Sequence, residues 1–279
     1  MKKILVLALS VFLAACGQEG APADASSAPA PEAQKNKVIK IAASVTPHAE
    51  ILREAQKYLA KDGYTLDIQE FNDYIQPNNV VESGEFLANY VEHKPFMDDI
   101  NRQNNLHMSA VAGIHYEPFG IYPGKTSKLE ELQDGAEIAV PNDTTNEARA
   151  LLLLQENGLL KLKDDAGITA TINDILENPK NIKIVEVEAA QLPRLVKEVD
   201  MAVINGNYAI AAGFSVGRDA VASEKSDSLA AKTYVNILVV REGNEQDPGI
   251  QALVKVLKSR EIVDFINAKY DGAVVPFVE

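Results

Sequence analysis

From Val38 onward, short β-branched runs alternate with longer segments of helical apolar spacing, and this alternation constrains the fold more than any other feature. Val38-Ile39-Lys40-Ile41-Ala42 reads as a first strand. Pro47 to Lys61 follows with Ile51, Leu52, Ala55, Tyr58 and Leu59 at helical spacing. Tyr64 to Ile68 alternates as a strand does, and Asn78 to Glu85 reads as a short helix. Two apolar stretches lie within residues 107–122, on either side of Glu117-Pro118. Ala136 to Val140, Ile182 to Val187, Met201 to Ile204 and Tyr234 to Val240 read as further strands. Helices are expected from Pro141-Asn142-Asp143 through Asn157 and over Gln191 to Glu198. Two closing helices are marked by Ile250, Leu253, Val254 and Leu257, then by Ile262, Phe265 and Ile266. Capping-box patterns stand at Ser127 to Glu130, before a short helix stopped by Gly135, and at Thr144 to Glu147. Such alternation implies α/β architecture with mostly parallel sheets. A chain of 279 residues suits two lobes, each of about 100–150 residues. In open α/β sheets ligands collect at the carboxyl ends of strands, so residues there carry the functional argument.

The first residues read differently. Lys2-Lys3 precede an apolar stretch, Ile4 to Ala15. Spanning a bilayer takes about 20 residues, so this stretch fits a secretory signal instead. It ends in Leu13-Ala14-Ala15-Cys16, which resembles the bacterial lipobox, where cleavage precedes the cysteine and the cysteine is acylated. Residues 1–15 are therefore expected to be a lipoprotein signal peptide and Cys16 the lipidation site, palmitate being one expected acyl group. Residues 16–37, rich in Ala, Pro and Ser, read as a disordered leash, because they offer little apolar area to offset ordering entropy. A chain so tethered faces the periplasm or the cell surface.

Charge and motif content exclude several functions. Lys and Arg total 27 against 40 Asp and Glu, a formal charge of -13 that repels phosphate backbones, so nucleic acid is not an expected partner. One cysteine excludes an intrachain disulfide framework and Cys-based zinc clusters. The four histidines (His48, His93, His107, His115) show no i, i+4 pair, and no metal site is expected. No Walker or dinucleotide fingerprint occurs, and no cofactor is expected. Gly213-Phe214-Ser215-Val216-Gly217 fits the nucleophile-elbow pattern. That motif needs a preceding strand and a histidine downstream, whereas the Ala-rich segment Tyr208 to Ala212 before Ser215 reads as helix and every histidine lies upstream. A serine hydrolase acting through Ser215 is thus the weakest alternative.

What remains are polar residues at element ends. Asn146 and Arg149 share one face at the start of a helix, and Arg149 offers a planar fork for a carboxylate, with helix-terminal N–H groups adding positive potential. Asn205 follows the strand Met201 to Ile204 directly. Asn236 sits in an otherwise apolar run, where an unpaired amide costs about 1–3 kcal/mol, so it requires a partner, either backbone or an ammonium group. Phe71-Asn72-Asp73-Tyr74 follows a strand and brings aromatic surface with a hydroxyl.

At these residues the chain resembles the methionine-binding lipoprotein family, the MetQ-type substrate-binding components of methionine ABC importers. The resemblance runs from about Lys37 to Phe277. It rests on Phe71-Asn72-Asp73-Tyr74, His93-Lys94-Pro95, Leu129 to Gly135, Ala139 to Asp143, Arg149 to Gln155, Glu177 to Asn181, Gln191 to Arg194, Ala202 to Asn205 and Tyr234-Val235-Asn236. It implies a two-lobed periplasmic-binding-protein fold of type II-like topology with a ligand cleft at the hinge. Residues 38–117 with 236–279 would form lobe I, and 118–235 lobe II. Arg149 would hold a ligand carboxylate with help from Asn146; Asn205 and Asn236 would bind polar backbone groups, the ammonium among them. Tyr74, His93, Phe71 and Tyr116 would line a thioether pocket. Val91 departs from the family's phenylalanine two residues before the histidine, and Gly206-Asn207-Tyr208 also varies. The implied partners are L-methionine, with D-methionine and derivatives as further candidates, an ABC permease with its ATPase, and a lipid bilayer reached through acylated Cys16. The implied activity is binding, not catalysis. An adhesive or envelope-structural lipoprotein is the alternative of another class.

Overall fold

The computed structural model describes residues 37–225 and 227–278, so the expected signal peptide, Cys16 and residues 16–36 of the leash lie outside the described residues. Thirteen strands, numbered in chain order, fall into two main sheets and a short ribbon. The first sheet contains β1 (Lys37–Ser44), β2 (Tyr64–Phe71), β3 (Ala88–His93), β4 (Met108–Tyr116), β12 (Asn236–Arg241) and β13 (Val275–Pro276). The second contains β5 (Gly120–Pro123), β6 (Glu137–Pro141), β9 (Lys183–Val187), β10 (Met201–Ile204) and β11 (Ala222–Ser223); β7 (Lys161–Leu162) and β8 (Ile175–Glu177) form the ribbon. Spatial orders are β13-β4-β12-β3-β1-β2 and β11-β5-β10-β6-β9.

The chain crosses between the sheets twice, through Glu117-Pro118-Phe119 and back through residues 224–235. The second crossing inserts β12 antiparallel between β3 and β4. Here the sequence expectation of mostly parallel sheets needs correcting. β1 pairs with β2 and β3 in parallel, and β6 with β9 and β10, but β12, β13, β5 and β11 all pair antiparallel. Helix spacing reports that strands are separated by helices; it is blind to a strand that returns from the other lobe.

Each sheet is covered on both faces. Helix α1 (His48–Leu59) buries Ile51, Leu52, Ala55 and Leu59 against the first sheet, joined by α9 (Pro248–Leu257) and α10 (Arg260–Tyr270). On the opposite face α2 (Gln76–Glu82) and α3 (Lys94–Asn104) enclose Val81, Phe86, Met97, Ile237 and Val239. In the second sheet α4 (Thr144–Glu156) is buried nearly all round, packing Leu151, Leu153 and Leu154 onto Ile138, Val140 and Val203. Short helices α5 (Leu192–Leu195) and α6 (Gly206–Ala211) cover its other face, and α7 (Val216–Asp219) and α8 (Leu229–Thr233) complete the set.

Local signals differ from expectation at two caps. Asp143, not Thr144, caps α4, its side chain accepting from the Asn146 N–H. At Ser127 to Glu130 only a single turn of 3-10 helix forms, over Leu129–Glu131, with no side-chain cap bond. Strand β3 and helix α3 are the longest elements absent from the sequence reading, which also lacked the short strands β7, β8, β11 and β13 and the short helices α7 and α8. All six residues of β3 are buried, so polar Asn89, Glu92 and His93 hide its apolar signal.

At the edge of the second sheet, the chain after β5 meets the turn before β10 in a backbone contact that admits no side chain. A Cβ on Gly124 would lie 2.0 Å from the Val196 carbonyl oxygen and 2.4 Å from that of Val199. Gly124→Ala is therefore expected to destabilise the protein by about 2–4 kcal/mol in urea unfolding. A loss below about 0.5 kcal/mol would show that this corner relaxes freely.

Candidate functional site

The ends of five strands bring polar residues together between the sheets. In the first sheet Asn236 opens β12 in register with His93 at the end of β3 and His115 near the end of β4. From the second sheet come Asn205, directly after β10, and Asn146 and Arg149 from the first turns of α4, which follows β6. All of these except His115, which is bonded to Glu117 instead, join Tyr74, Val91, Glu92, Phe96, Glu117, Gly206 and Asn207 in lining a cavity that holds at most about 320 Å³ of empty space, mouth included. A space no larger than that excludes a folded chain.

One end of the cavity is cationic. Arg149 is 3% exposed, and its guanidinium lies 4.1 Å from the Phe119 ring centroid and 4.4 Å from that of Tyr234. Its Nε donates to Glu224 Oε1 at 2.8 Å and its Nη2 to Glu224 Oε2 at 2.6 Å; Nη2 also donates to the Glu117 carbonyl at 2.8 Å. Glu224 further accepts from the Tyr116 hydroxyl at 2.5 Å and the Phe119 N–H at 2.9 Å. Burial alone would lower the Arg149 pKa, but the Glu224 carboxylate outweighs it and raises the value; burial pushes Glu224 up, and Arg149 brings it below its ordinary value. The pair is ionised. The α4 N-terminus is not free to face a ligand, because Asp143 already accepts the Asn146 N–H at 3.0 Å.

The other end carries a carboxyl group. Glu117 Oε1 accepts from His115 Nε2 at 2.7 Å, while His115 Nδ1 faces the Tyr90 hydroxyl. His115 is therefore neutral with its proton on Nε2, and burial lowers its pKa to about 3. Burial raises the Glu117 pKa, opposed by neighbouring His48, by the Arg149 charge and by the Asn207 N–H. Close approach of Glu117 requires a glycine: a Cβ on Gly206 would lie 2.6 Å from Glu117 Cβ and 2.8 Å from its Oε2. His48, His115 and Glu117 do converge as three potential metal donors, a grouping the spacing of histidines did not foretell. The 2.7 Å hydrogen bond between two of them accounts for the approach without an ion.

Amides tie the two ends together. Asn236 Oδ1 accepts from His48 Nε2 at 2.9 Å, so the partner its burial demanded is an imidazole 188 positions away. Asn146 Oδ1 accepts from His93 Nε2 at 3.1 Å and from Asn205 Nδ2 at 3.0 Å. The second Asn205 polar atom, Oδ1, is buried with no hydrogen-bond partner among the described residues. His93 caps α3 through Nδ1, and burial, with the Arg149 charge, lowers its pKa to about 3. Tyr74 donates to Asn207 Oδ1 at 2.6 Å and packs on Phe96.

Two expected wall residues stand elsewhere. Phe71 packs on Phe86 at 6.0 Å between ring centroids, behind the cavity. Tyr116 is buried under Arg149, where its hydroxyl serves Glu224. Ser215 follows helix α6 rather than a strand and precedes α7, and its N–H donates to Asp219, so the geometry of a nucleophile elbow is not present there. Glu117, Glu224, Asn207 and Glu92 are the functional candidates that sequence reasoning missed. Only the position of Glu117 at a strand end could have flagged one of them.

Glu92 is a buried acid without a cation. Two steps along β12, Ile237 to Val239, oppose three along β3, Glu92 to Asn89, and this bulge turns both polar residues toward α2. There Asn78 donates to Glu92 Oε2 at 3.2 Å, and burial raises the Glu92 pKa to about 8 despite the amides of Asn78 and Asn89. A folded-state value above the unfolded one makes stability fall as pH rises from about 4.5 toward 8. Buried neutral His48, His93 and His115 act oppositely, losing stability as pH falls below about 6.5. Between pH 6.5 and 8 a variant that lacks the Glu92 carboxyl isolates its contribution from those of the other buried groups. Wild-type protein is expected to lose about 2 kcal/mol across that window in urea unfolding relative to Glu92→Gln. Parallel curves for the two proteins would show that Glu92 is ionised throughout.

Comparison with known proteins places this cavity in a family. The family model described as NlpA lipoprotein matches residues 39–278. The D-methionine-binding lipoprotein MetQ of Escherichia coli K12 is 40% identical over 241 residues, 85% of this chain and 87% of that protein. A solved structure from Ruminococcus gnavus is 60% identical, covers 86% of this chain and 99% of its own, and superposes with a TM-score of 0.86. A nutrient binding protein from Burkholderia cenocepacia, solved bound to methionine, is 41% identical, with coverage of 85% and 99% and a TM-score of 0.81. These likenesses extend over both sheets and the crossings between them, and the two-lobed binding-protein fold is theirs as well. On that agreement of sequence and architecture, this chain belongs to the NlpA lipoprotein family.

Proposed function

We propose that the protein is a lipid-anchored substrate-binding protein that captures methionine as a zwitterion and delivers it to an ABC permease with its ATPase. The observation that carries this reading is the opposition of Arg149 and Glu117 across one small buried cavity. A zwitterion entering such a space loses the water around two charges, a cost of several kcal/mol each unless fixed partners replace it. At the cationic end Nη1 is the guanidinium nitrogen that Glu224 and Glu117 leave without a hydrogen bond among the described residues. It receives the carboxylate. At the opposite end Glu117 and the free Asn205 Oδ1 receive the ammonium, with Asn236 beside them. Asn146 positions His93 and Asn205 rather than touching the guest.

Tyr74, Val91, His93 and Phe96 form the wall for the side chain. Burial of that side chain contributes about 0.8 kcal/mol per CH₂, and sulfur against aromatic rings adds about 0.3–1.5 kcal/mol, which favours a thioether over a shorter aliphatic chain. The two crossings, at residues 117–119 and 224–235, act as the hinge between lobe I and lobe II. Closure changes what the lobes present to a permease. No bond is made or broken, so the protein works as a carrier and not as an enzyme. Among the described residues no helix is long and apolar enough to cross a membrane, in keeping with attachment through acylated Cys16 to the bacterial envelope. The names borne by the Escherichia coli and Burkholderia cenocepacia relatives support methionine as the guest.

Isothermal titration with L-methionine tests the assignment on protein lacking residues 1–15. Glu117→Gln keeps the shape of the side chain and removes its charge, and is expected to weaken binding about 10–100-fold. Gly206→Ala should weaken it at least tenfold by displacing Glu117, while Ser215→Ala leaves it unchanged. Unaltered affinity in Glu117→Gln would remove the ammonium from that end of the cavity, and wild-type protein that binds no methionine would end the reading.

A further inference from the structure

The cation at the cavity is already matched: Arg149 is paired with Glu224 at 2.6 Å, so the pair presents no net charge to a guest. Three of the five guanidinium hydrogens are spent within the protein, one from Nε and two from Nη2. The fork that arginine ordinarily offers a carboxylate is therefore occupied by Glu224, and a guest meets only the two hydrogens on Nη1. A neutral carbonyl oxygen satisfies those as well as a carboxylate oxygen does.

We propose that Glu224 acts as a resident counter-ion for Arg149, and that it opens the cavity to amino acids whose carboxyl group is uncharged, primary amides first among them. The inference rests on the methionine-binding reading above and extends its ligand class. Binding is set by the ammonium at Glu117, and the carboxyl end contributes shape and one or two hydrogen bonds. Removing Glu224's charge converts the Arg149 end into an unbalanced cation that demands a carboxylate and turns amides away. Glu224 is thus a specificity-determining residue that does not touch the guest.

Three probes at pH 6.5 separate the possibilities, a pH below the range of about 7.7–8.0 where an α-amino group ordinarily loses its proton. They are L-methionine, L-methioninamide, and 4-(methylthio)butanoate, which keeps the carboxylate and lacks the ammonium. By calorimetry on wild-type protein the amide is expected to bind within about 100-fold of methionine, and the butanoate at least tenfold more weakly than the amide. In Glu224→Gln the ratio of amide to methionine dissociation constants is expected to widen at least tenfold. The wild-type ranking needs no variant and stands even if Glu224→Gln fails to fold. An amide bound more than 100-fold more weakly than methionine, a butanoate bound as well as the amide, or a ratio unchanged within threefold in the folded variant would overturn the proposal while leaving methionine capture intact. Absence of methionine binding by wild-type protein would instead bring down the functional reading, and this proposal with it.

Discussion

A buried ion pair, Arg149 with Glu224, is the interaction around which the cleft is organised. Neither partner tolerates burial alone, because an unpaired charge in such a place costs about 3–5 kcal/mol. Together they draw in the Tyr116 hydroxyl, the Phe119 N–H, the Glu117 carbonyl and the faces of two aromatic rings. Phe119 belongs to the outgoing crossing between the sheets and Tyr234 to the returning one, so the pair ties both crossings to the start of α4. The guanidinium is thereby held rigid before any guest arrives, and a rigid partner loses little freedom on binding.

The same economy runs through the rest of the site. His115, His93 and His48 are kept neutral by burial and serve as fixed donors to Glu117, Asn146 and Asn236. Each imidazole reaches a polar group whose satisfaction would otherwise require water. A guanidinium at one end and a carboxyl group at the other, joined by amides, make a polar cavity, and the antiparallel insertion of β12 is what brings Asn236 to the same edge as His93 and His115.

Much of this was legible in the sequence, for physical reasons. Periodicity located β1, β2, β6, β9, β10 and the helices α1, α4, α9 and α10, because their apolar residues face a single core or none that is wet. The ends of those strands then pointed to Asn146, Arg149 and Asn205, and an amide in an otherwise apolar run pointed to Asn236; the structure gathers all four around one cavity with Tyr74 and His93. Strand β3 was not legible, since a strand that buries Asn89, Glu92 and His93 through specific partners carries no apolar alternation. Glu224 was invisible for a related cause: its partner lies 75 positions away, and an acid near a short strand reads as surface until its burial is known. Phe71 and Tyr116 share the aromatic character of a pocket wall, but sequence does not tell which side of a strand's end faces the cavity.

The most direct test of the account is a crystal structure of the protein grown with L-methionine. The account predicts one guest molecule between the two sheets, its carboxylate within hydrogen-bond distance of Arg149 Nη1 and its ammonium within hydrogen-bond distance of Glu117 and Asn205 Oδ1, with the Arg149–Glu224 pair intact. A guest bound with its ammonium at Arg149's end, or a carboxylate that displaces Glu224 from the guanidinium, would contradict it.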